Sequence, residues 1–335
     1  MSELEFRPPK FVPSRWIAGG HLQTITRVSA AADGATALRA SAEHTVPLGD
    51  GDAIVLHENV PVDGAAARPG RSARCALLIH GLGGCHRSPY MIRLAGRLLA
   101  DGWTVYRADM RGAGAGRLLA AGLNHAGRSG DVQAALAFIA ARNPGASISA
   151  AGVSLGGNQL LLMASRWGSD SKPDWADRLE RIVTVAPPIE LVRCSENMQR
   201  LSRRPYNYYF IRSLFDGAPP RVREHELFRS LAGSGRPRTL FQLDDRLTAP
   251  HSGFDGAQDY YARCGAGRSV RCNPIPTLVL AAEDDPIVPA SCFRDADWPR
   301  STHLLLTKTG GHAGFITAGR RSWMDDCVVA WMNQF

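Results

Sequence analysis

The sequence predicts an α/β protein with a mostly parallel central sheet, helices on both of its faces and an inserted cap. Three observations carry this. From Cys75 to Ala186 short apolar runs alternate with helix-forming stretches, and the alternation resumes at Pro276. A Gly152-Val153-Ser154-Leu155-Gly156 step separates one apolar run from the next helix former. Two further chemistry-bearing loops, at 283–289 and 309–315, each follow a strand-like run.

The elements follow in order. Residues 1–40 show little periodicity and read as an N-terminal arm laid over the body. His44–Leu48 and Ala53–Val60 read as an antiparallel pair around the turn 49–52, and 63–73 as a Gly/Pro/Ala/Arg loop. Cys75–Ile79 is a strand, Pro89–Asp101 a helix and Thr104–Ala108 a strand. Asp131 caps a helix that runs to Arg142. Ala146–Ala151 is a buried strand leading into the serine step, and Asn158–Trp167 is the helix that leaves it. Arg181–Ala186 is the next strand. Between 187 and 273 the alternation breaks into an Arg-rich stretch with an aromatic cluster, the signature of an insertion over the sheet's C-terminal edge, where ligands bind in open α/β sheets. Pro276–Ala282 and His303–Leu306 restore the sheet, and Arg320–Phe335 is a closing helix. The expected organisation is an arm (1–40), a core (41–186 and 274–335) and a cap (187–273).

A serine flanked by small residues two positions away on each side fits a sharp, strained strand-to-helix turn that lifts its hydroxyl clear of the sheet. Such a hydroxyl needs a base, and the base needs a third group to hold its tautomer. Glu283-Asp284-Asp285-Pro286 supplies the acid after one strand; Asp285 is preferred, since Asp284 resembles a turn residue. Gly310-Gly311-His312-Ala313-Gly314 supplies the base after the next. Serine, acid and histidine stand in the chain order that this sheet requires. His80-Gly81-Leu82-Gly83-Gly84 follows the first parallel strand, where amides of Leu82 and Leu155 are placed to hold an oxyanion. His80 braces that loop. His21 and His125 lack partners at metal spacing and read as structural, so no metal is expected. The glycines at 112–116 lack dinucleotide-loop spacing and read as a flexible loop. In the cap, Tyr206, Tyr209, Phe210 and Phe215 fit either the lining of an apolar acyl pocket or the packing of cap onto body.

Composition excludes several classes. The 335 residues carry 44% hydrophobic side chains, ample for a core, and no apolar run approaches the roughly 18 residues of a membrane span. Seven cysteines, without metal spacing or a signal-peptide segment ahead of them, fit a reduced cytoplasmic protein. The net charge of +8 includes ten arginines between 193 and 238 against four acidic residues. They form no block, so they read as a solvated surface, with weak association with anionic surfaces as the sharper alternative. No nucleic-acid signature accompanies them.

Together these motifs resemble the YheT-like branch of the α/β-hydrolase superfamily, which takes in bacterial hydrolases, yeast ethanol acyltransferases and mammalian abhydrolase-domain lipases. The resemblance is carried by Trp16-Ile17-Ala18-Gly19-Gly20-His21-Leu22-Gln23-Thr24, His80-Gly81-Leu82, Asp109-Met110-Arg111-Gly112 and His125-Ala126-Gly127. It continues through Gly152–Asn158, Asp259-Tyr260-Tyr261, Asp284-Asp285-Pro286 and Gly310–Phe315. It implies the α/β-hydrolase fold and a Ser154–Asp285–His312 triad. The residues after the Gly-rich loop, Cys85-His86-Arg87, and Ala113 after Arg111-Gly112 depart from the branch and bear on substrate preference. The membrane anchor of the mammalian relatives has no counterpart here, so the chain looks like the soluble bacterial form.

The function implied is cleavage of carboxylic esters, small or lipid, of medium acyl length, with no cofactor. The alternatives are acyl transfer to an alcohol and a non-catalytic scaffold that binds lipid or protein.

Overall fold

The computed structural model describes residues 6–29, 38, 40–61, 73–169 and 172–334. Eight strands form one sheet: β1 (Ala42–Pro47), β2 (Ala53–Asn59), β3 (Arg74–Ile79), β4 (Thr104–Asp109), β5 (Ser147–Val153), β6 (Leu179–Val185), β7 (Thr277–Ala282) and β8 (Thr302–Thr307). Their order across the sheet is β1-β2-β4-β3-β5-β6-β7-β8. Only the pairings of β2 with β1 and with β4 are antiparallel; the rest are parallel. Parallel strands need crossovers, and α2 (Pro89–Ala100), α3 (Ser129–Arg142) and α4 (Leu155–Ser169) supply them.

Period-two alternation splits the core between the two faces. In β3, Cys75, Leu77 and Ile79 join the cluster under α3 and α4, whereas Ala76 and Leu78 join the one under α2 and the closing helix Trp323–Met332. The α2 helix starts at Pro89, where a missing N–H costs nothing, and buries Tyr90, Met91, Leu94, Ala95 and Leu98 along one stripe. The strands lie where the sequence places them, within two residues at each end. The 63–73 loop, all but Ala73, lies outside the described residues, as do parts of the arm.

Three expectations need correction. The arm is not featureless: Gly20–Ser29 is a helix, α1, set against the loops at the sheet's C-terminal edge. Asp131 does not cap α3, which begins two residues earlier. Its carboxylate instead receives both Nε and Nη2 of Arg111 at 3.0 and 2.9 Å, while Asp50 and Asp52 take the same guanidinium from the β1–β2 turn. A buried cation shared by three carboxylates ties that hairpin to α3.

The glycine loop after Arg111 is ordered, and Asp109 explains why. Its carboxylate accepts His57 Nε2 at 2.9 Å, His86 Nδ1 and the His86 amide at 2.6 Å each, and the Ala115 amide at 2.8 Å. Burial alone would lift this carboxyl; the hydrogen bonds outweigh it and hold the group well below the usual range. Gly114 packs so closely that a Cβ there would stand 2.1 Å from Asp109 Oδ2, and its φ of +47° suits glycine. His57, His86 and Asp109 have ligand-type atoms within 4.8 Å of one another. Within this set the two imidazoles meet the same oxygen, Asp109 Oδ2, and their rings stack at 3.5 Å. Replacing Asp109 by Leu leaves at least three buried donors unpaired, and urea unfolding should show a loss of about 3 kcal/mol or more. A loss under about 1 kcal/mol would mean that water reaches the cluster.

Candidate active site

Ser154 occupies the step between β5 and α4 with a φ of +53°, a strained value for a non-glycine residue. Its amide donates to Val185 O at 2.7 Å, so the end of β6 holds the turn. The flanking glycine at 156 is a packing requirement: a Cβ there would meet His80 O at 2.6 Å and Ile79 Cγ2 at 2.7 Å. From this turn Ser154 Oγ reaches His312 Nε2 at 2.9 Å, and His312 Nδ1 reaches Asp285 Oδ2 at 2.9 Å. Asp285 Oδ1 accepts the amides of Ile287 and Val288 at 2.7 and 3.0 Å. With both oxygens occupied, the carboxylate fixes the imidazole with Nδ1–H toward Asp285 and Nε2 free to accept from the serine hydroxyl.

Of the two adjacent aspartates, the structure turns Asp285 toward His312 and gives Asp284 another task. Asp284 Oδ1 accepts the Gly311 amide at 2.9 Å, joining the acid loop to the histidine loop. Burial raises its carboxyl, opposed by the amides of Gly311 and Gly310.

The histidine loop is clamped from the far end of the chain. Thr24 Oγ1 accepts the His312 amide at 2.8 Å and donates to Gly20 O at 2.6 Å. Gln23 Oε1 accepts the Ile316 amide at 2.6 Å, and its Nε2 donates to Ile17 O and Ile316 O at 2.9 and 3.2 Å. A Cβ on Gly311 would lie 2.4 Å from Gly20 O, and φ there is +60°. Sequence reasoning noted the Trp16–Thr24 segment but gave it no role. No local pattern links positions some 290 apart, though a buried Gln and Thr on a short polar helix are the trace such a clamp leaves.

Leu82 and Leu155 both stand with Ser154 on the wall of one cavity. The loop carrying Leu82 is braced as expected. His80 Nδ1 donates to Gly81 O at 2.8 Å, its Nε2 accepts the Met110 amide at 3.2 Å, and Gly81 N–H donates to Tyr90 Oη at 2.9 Å. Burial lowers the His80 pKa, so this brace stays neutral. His125 is structural too. It packs edge-on against Phe254 and Tyr260, and burial with Arg128 and Arg111 nearby pushes it down to about 3.

The cavity holds about 400 Å³ and its wall is more apolar than polar; the segment between β6 and β7 contributes Leu, Phe and Met side chains to it, and Ile287 follows β7. Of the four aromatics expected to line the cavity, only Phe210 does. Tyr206 is buried against α1, stacked on His21 with Oη 2.9 Å from its Nδ1. Tyr209 sits on the outer side of the same helix, Arg204–Ile211, and is 49% exposed. Phe215 stacks on Phe228 at 4.7 Å in a separate small core. One helical turn presents its residues in different directions, so a run of aromatics cannot all face one pocket. The wall the sequence missed comes from Leu191, Cys194 and Met198, at helical spacing on Leu191–Met198, and from Leu243, Asp244 and Leu247. Asp244 is one of several polar groups on the wall, beside Arg111, Arg117, Asn124 and Thr248. Tyr261 Oη donates to Asp244 at 2.8 Å, and burial lifts its carboxyl to about 6 against the Tyr261 and Thr248 hydroxyls.

A strained serine at a strand end, hydrogen-bonded to a histidine that a carboxylate orients, defines the α/β serine hydrolase class of site. The chain belongs to the family described as alpha/beta hydrolase fold, whose profile matches residues 77–318. It is 27% identical over 337 residues to the Escherichia coli (strain K12) protein named "Putative esterase YheT", covering 97% of this chain and 94% of that one. The mouse protein named Phospholipase ABHD3 is 26% identical over 72% of this chain and 58% of its own length. Among solved structures, the 2,6-dihydroxy-pseudo-oxynicotine hydrolase shares the fold with a TM-score of 0.55 at 15% identity, over 94% of this chain and 77% of that one. The YheT-like resemblance therefore spans the whole sheet and its flanking loops.

Two outcomes follow. Thr24→Val removes the hydroxyl beneath the His312 amide and should lower kcat by up to about 10²-fold with KM little changed, while Thr24→Ser retains activity; equal turnover by Thr24→Val would remove the clamp's role. For Asp244 the ordinary value is 3.8. Between that and about 6 the folded protein keeps a proton that the unfolded chain has lost, so this group's contribution to stability falls as pH rises through the window. Asp244→Asn should therefore raise the melting temperature more at pH 8 than at pH 4, read by calorimetry.

Proposed function

We propose that the chain is a serine hydrolase of carboxylic esters, working through an acyl-enzyme on Ser154, with medium-chain acyl or lipid esters as substrates. The observation that carries this reading is the continuous Ser154–His312–Asp285 chain, at 2.9 Å for each link, opening on a largely apolar cavity of about 400 Å³. That volume lies in the range of ligand pockets, and an acyl chain is the substrate part that such walls favour.

Ser154 Oγ attacks the acyl carbonyl as His312 Nε2 takes its proton. Asp285 holds the imidazolium that results. The Leu82 and Leu155 amides hold the tetrahedral oxyanion; Leu155 heads α4, whose N-terminal dipole favours the same charge. His312 then gives its proton to the leaving alkoxide, and water, deprotonated by the same imidazole, releases the acid. Besides the ester and the attacking water, each step draws on this chain's own side chains and amides. The names of the similar proteins, an esterase and a phospholipase, support an ester substrate. The seven free cysteines, five of them buried, support a reducing, cytoplasmic setting.

Ser154→Ala should abolish labelling by a fluorophosphonate probe and lower ester turnover by about 10⁴-fold or more, and Asp285→Asn by about 10⁴-fold. Equal labelling of Ser154→Ala would sink the reading in favour of a binding scaffold. Against p-nitrophenyl esters of graded length, the optimum should fall at a medium chain, whereas an acetate optimum would remove the acyl-pocket assignment. In ethanol–water, faster formation of ethyl ester than of free acid would replace hydrolysis by acyl transfer.

A further inference from the structure

We propose that the outer face of residues 197–215, with the N-terminal segment it touches, is a docking surface for an anionic lipid bilayer. The proposal deepens the ester-hydrolase reading by naming the phase that meets the cavity wall, but binding itself does not require Ser154.

The two faces of this stretch differ. Met198, Phe210, Ser213 and Leu214 look inward and line the cavity beside Ser154. Leu201 at 72% exposure, Tyr208 at 62% and Tyr209 look outward. The stretch is tied to α1: Tyr206 Oη meets His21 Nδ1 at 2.9 Å, and Arg203 Nη1 meets His21 Nε2 at 2.9 Å. From α1 and the turn before it come Leu22 at 50% and Trp16 at 92% exposure. A tryptophan left almost wholly in water is an uncommon use of that side chain, whereas Trp and Tyr favour the membrane–water interface.

Charge points to the same partner. Residues 197–215 contain Arg200, Arg203, Arg204 and Arg212 and no acidic residue; residues 6–29 contain Arg7, Lys10, Arg15 and Arg27 and none either. Arg15, Arg200, Arg204 and Arg212 are exposed, and among the described residues none of the four pairs with a carboxylate. Elsewhere on this molecule surface arginines do find carboxylates, as Arg193 finds Asp295 and Arg236 finds Asp216. Unpaired guanidinium groups around scattered apolar tips suit a fluid anionic surface. A folded protein partner would demand fixed complementary pockets.

The test is cosedimentation of the full chain, as Ser154→Ala to remove turnover, with two kinds of vesicle. One is phosphatidylcholine alone; the other mixes phosphatidylcholine with phosphatidylglycerol at three to one. We expect binding to the anionic vesicles to be about tenfold or more tighter, and to be lost in high salt. The triple variant Arg200→Gln/Arg204→Gln/Arg212→Gln should weaken that binding at least about tenfold, while the lysine triple retains it. Trp16→Ser/Leu201→Ser should weaken it as well. The same substitutions with Ser154 restored should leave turnover of a water-soluble ester unchanged, which excludes misfolding. Equal binding to both vesicles, full binding by the glutamine triple, or equally tight binding to polyglutamate would overturn the proposal. Vesicle binding without ester turnover would sink the hydrolase reading and leave this one standing.

Discussion

Everything at the site depends on holding one imidazole between two groups that come from different strands. Ser154 arrives from β5, Asp285 from the loop after β7 and His312 from the loop after β8. Each link is 2.9 Å long, so a shift of one strand end by an ångström would break the chain. Parallel pairing solves most of this, because it sends the C-terminal ends of β5, β6, β7 and β8 to one edge in register. The rest falls to hydrogen bonds between loops: the Ser154 amide on Val185, Asp284 on Gly311, Thr24 on His312.

The surrounding polar groups serve the same requirement at longer range. Asp109 gathers four donors beneath the Gly-rich loop, and Arg111 gathers three carboxylates beside it. Both are buried charges whose isolation would be costly and whose full pairing makes the local backbone single-valued. His80, neutral and bonded at both nitrogens, passes that order to Gly81 and so to Leu82. The serine therefore stands beside loops that are tied down by buried, hydrogen-bonded charges.

Much of this was legible in the sequence, for a physical reason. Buried parallel strands must be short and apolar, and the serine step needs small residues at fixed offsets, so sheet and strand-end loops leave local marks. Ser154, Asp285 and His312 each lie just past such a mark, and the structure brings the three side chains together. What escaped has no local mark. Asp131 looks like a helix cap until Arg111 folds onto it. The glycines at 112–116 look loose until Asp109 sits beneath them. The aromatics at 206–215 look like one cluster until helical geometry sends Tyr206, Tyr209 and Phe215 three separate ways, leaving Phe210 alone on the cavity. The wall the sequence missed is ordinary apolar residues on several short helices, indistinguishable along the chain from any small core.

The bond from Thr24 to the His312 amide joins positions 288 residues apart. A segment running from β5 through the loop after β8 would contain Ser154, Asp285 and His312 and still lack the hydroxyl that receives the His312 amide. The placing of the imidazole is thus a property of the folded body as a whole, not of the sheet that bears the three side chains.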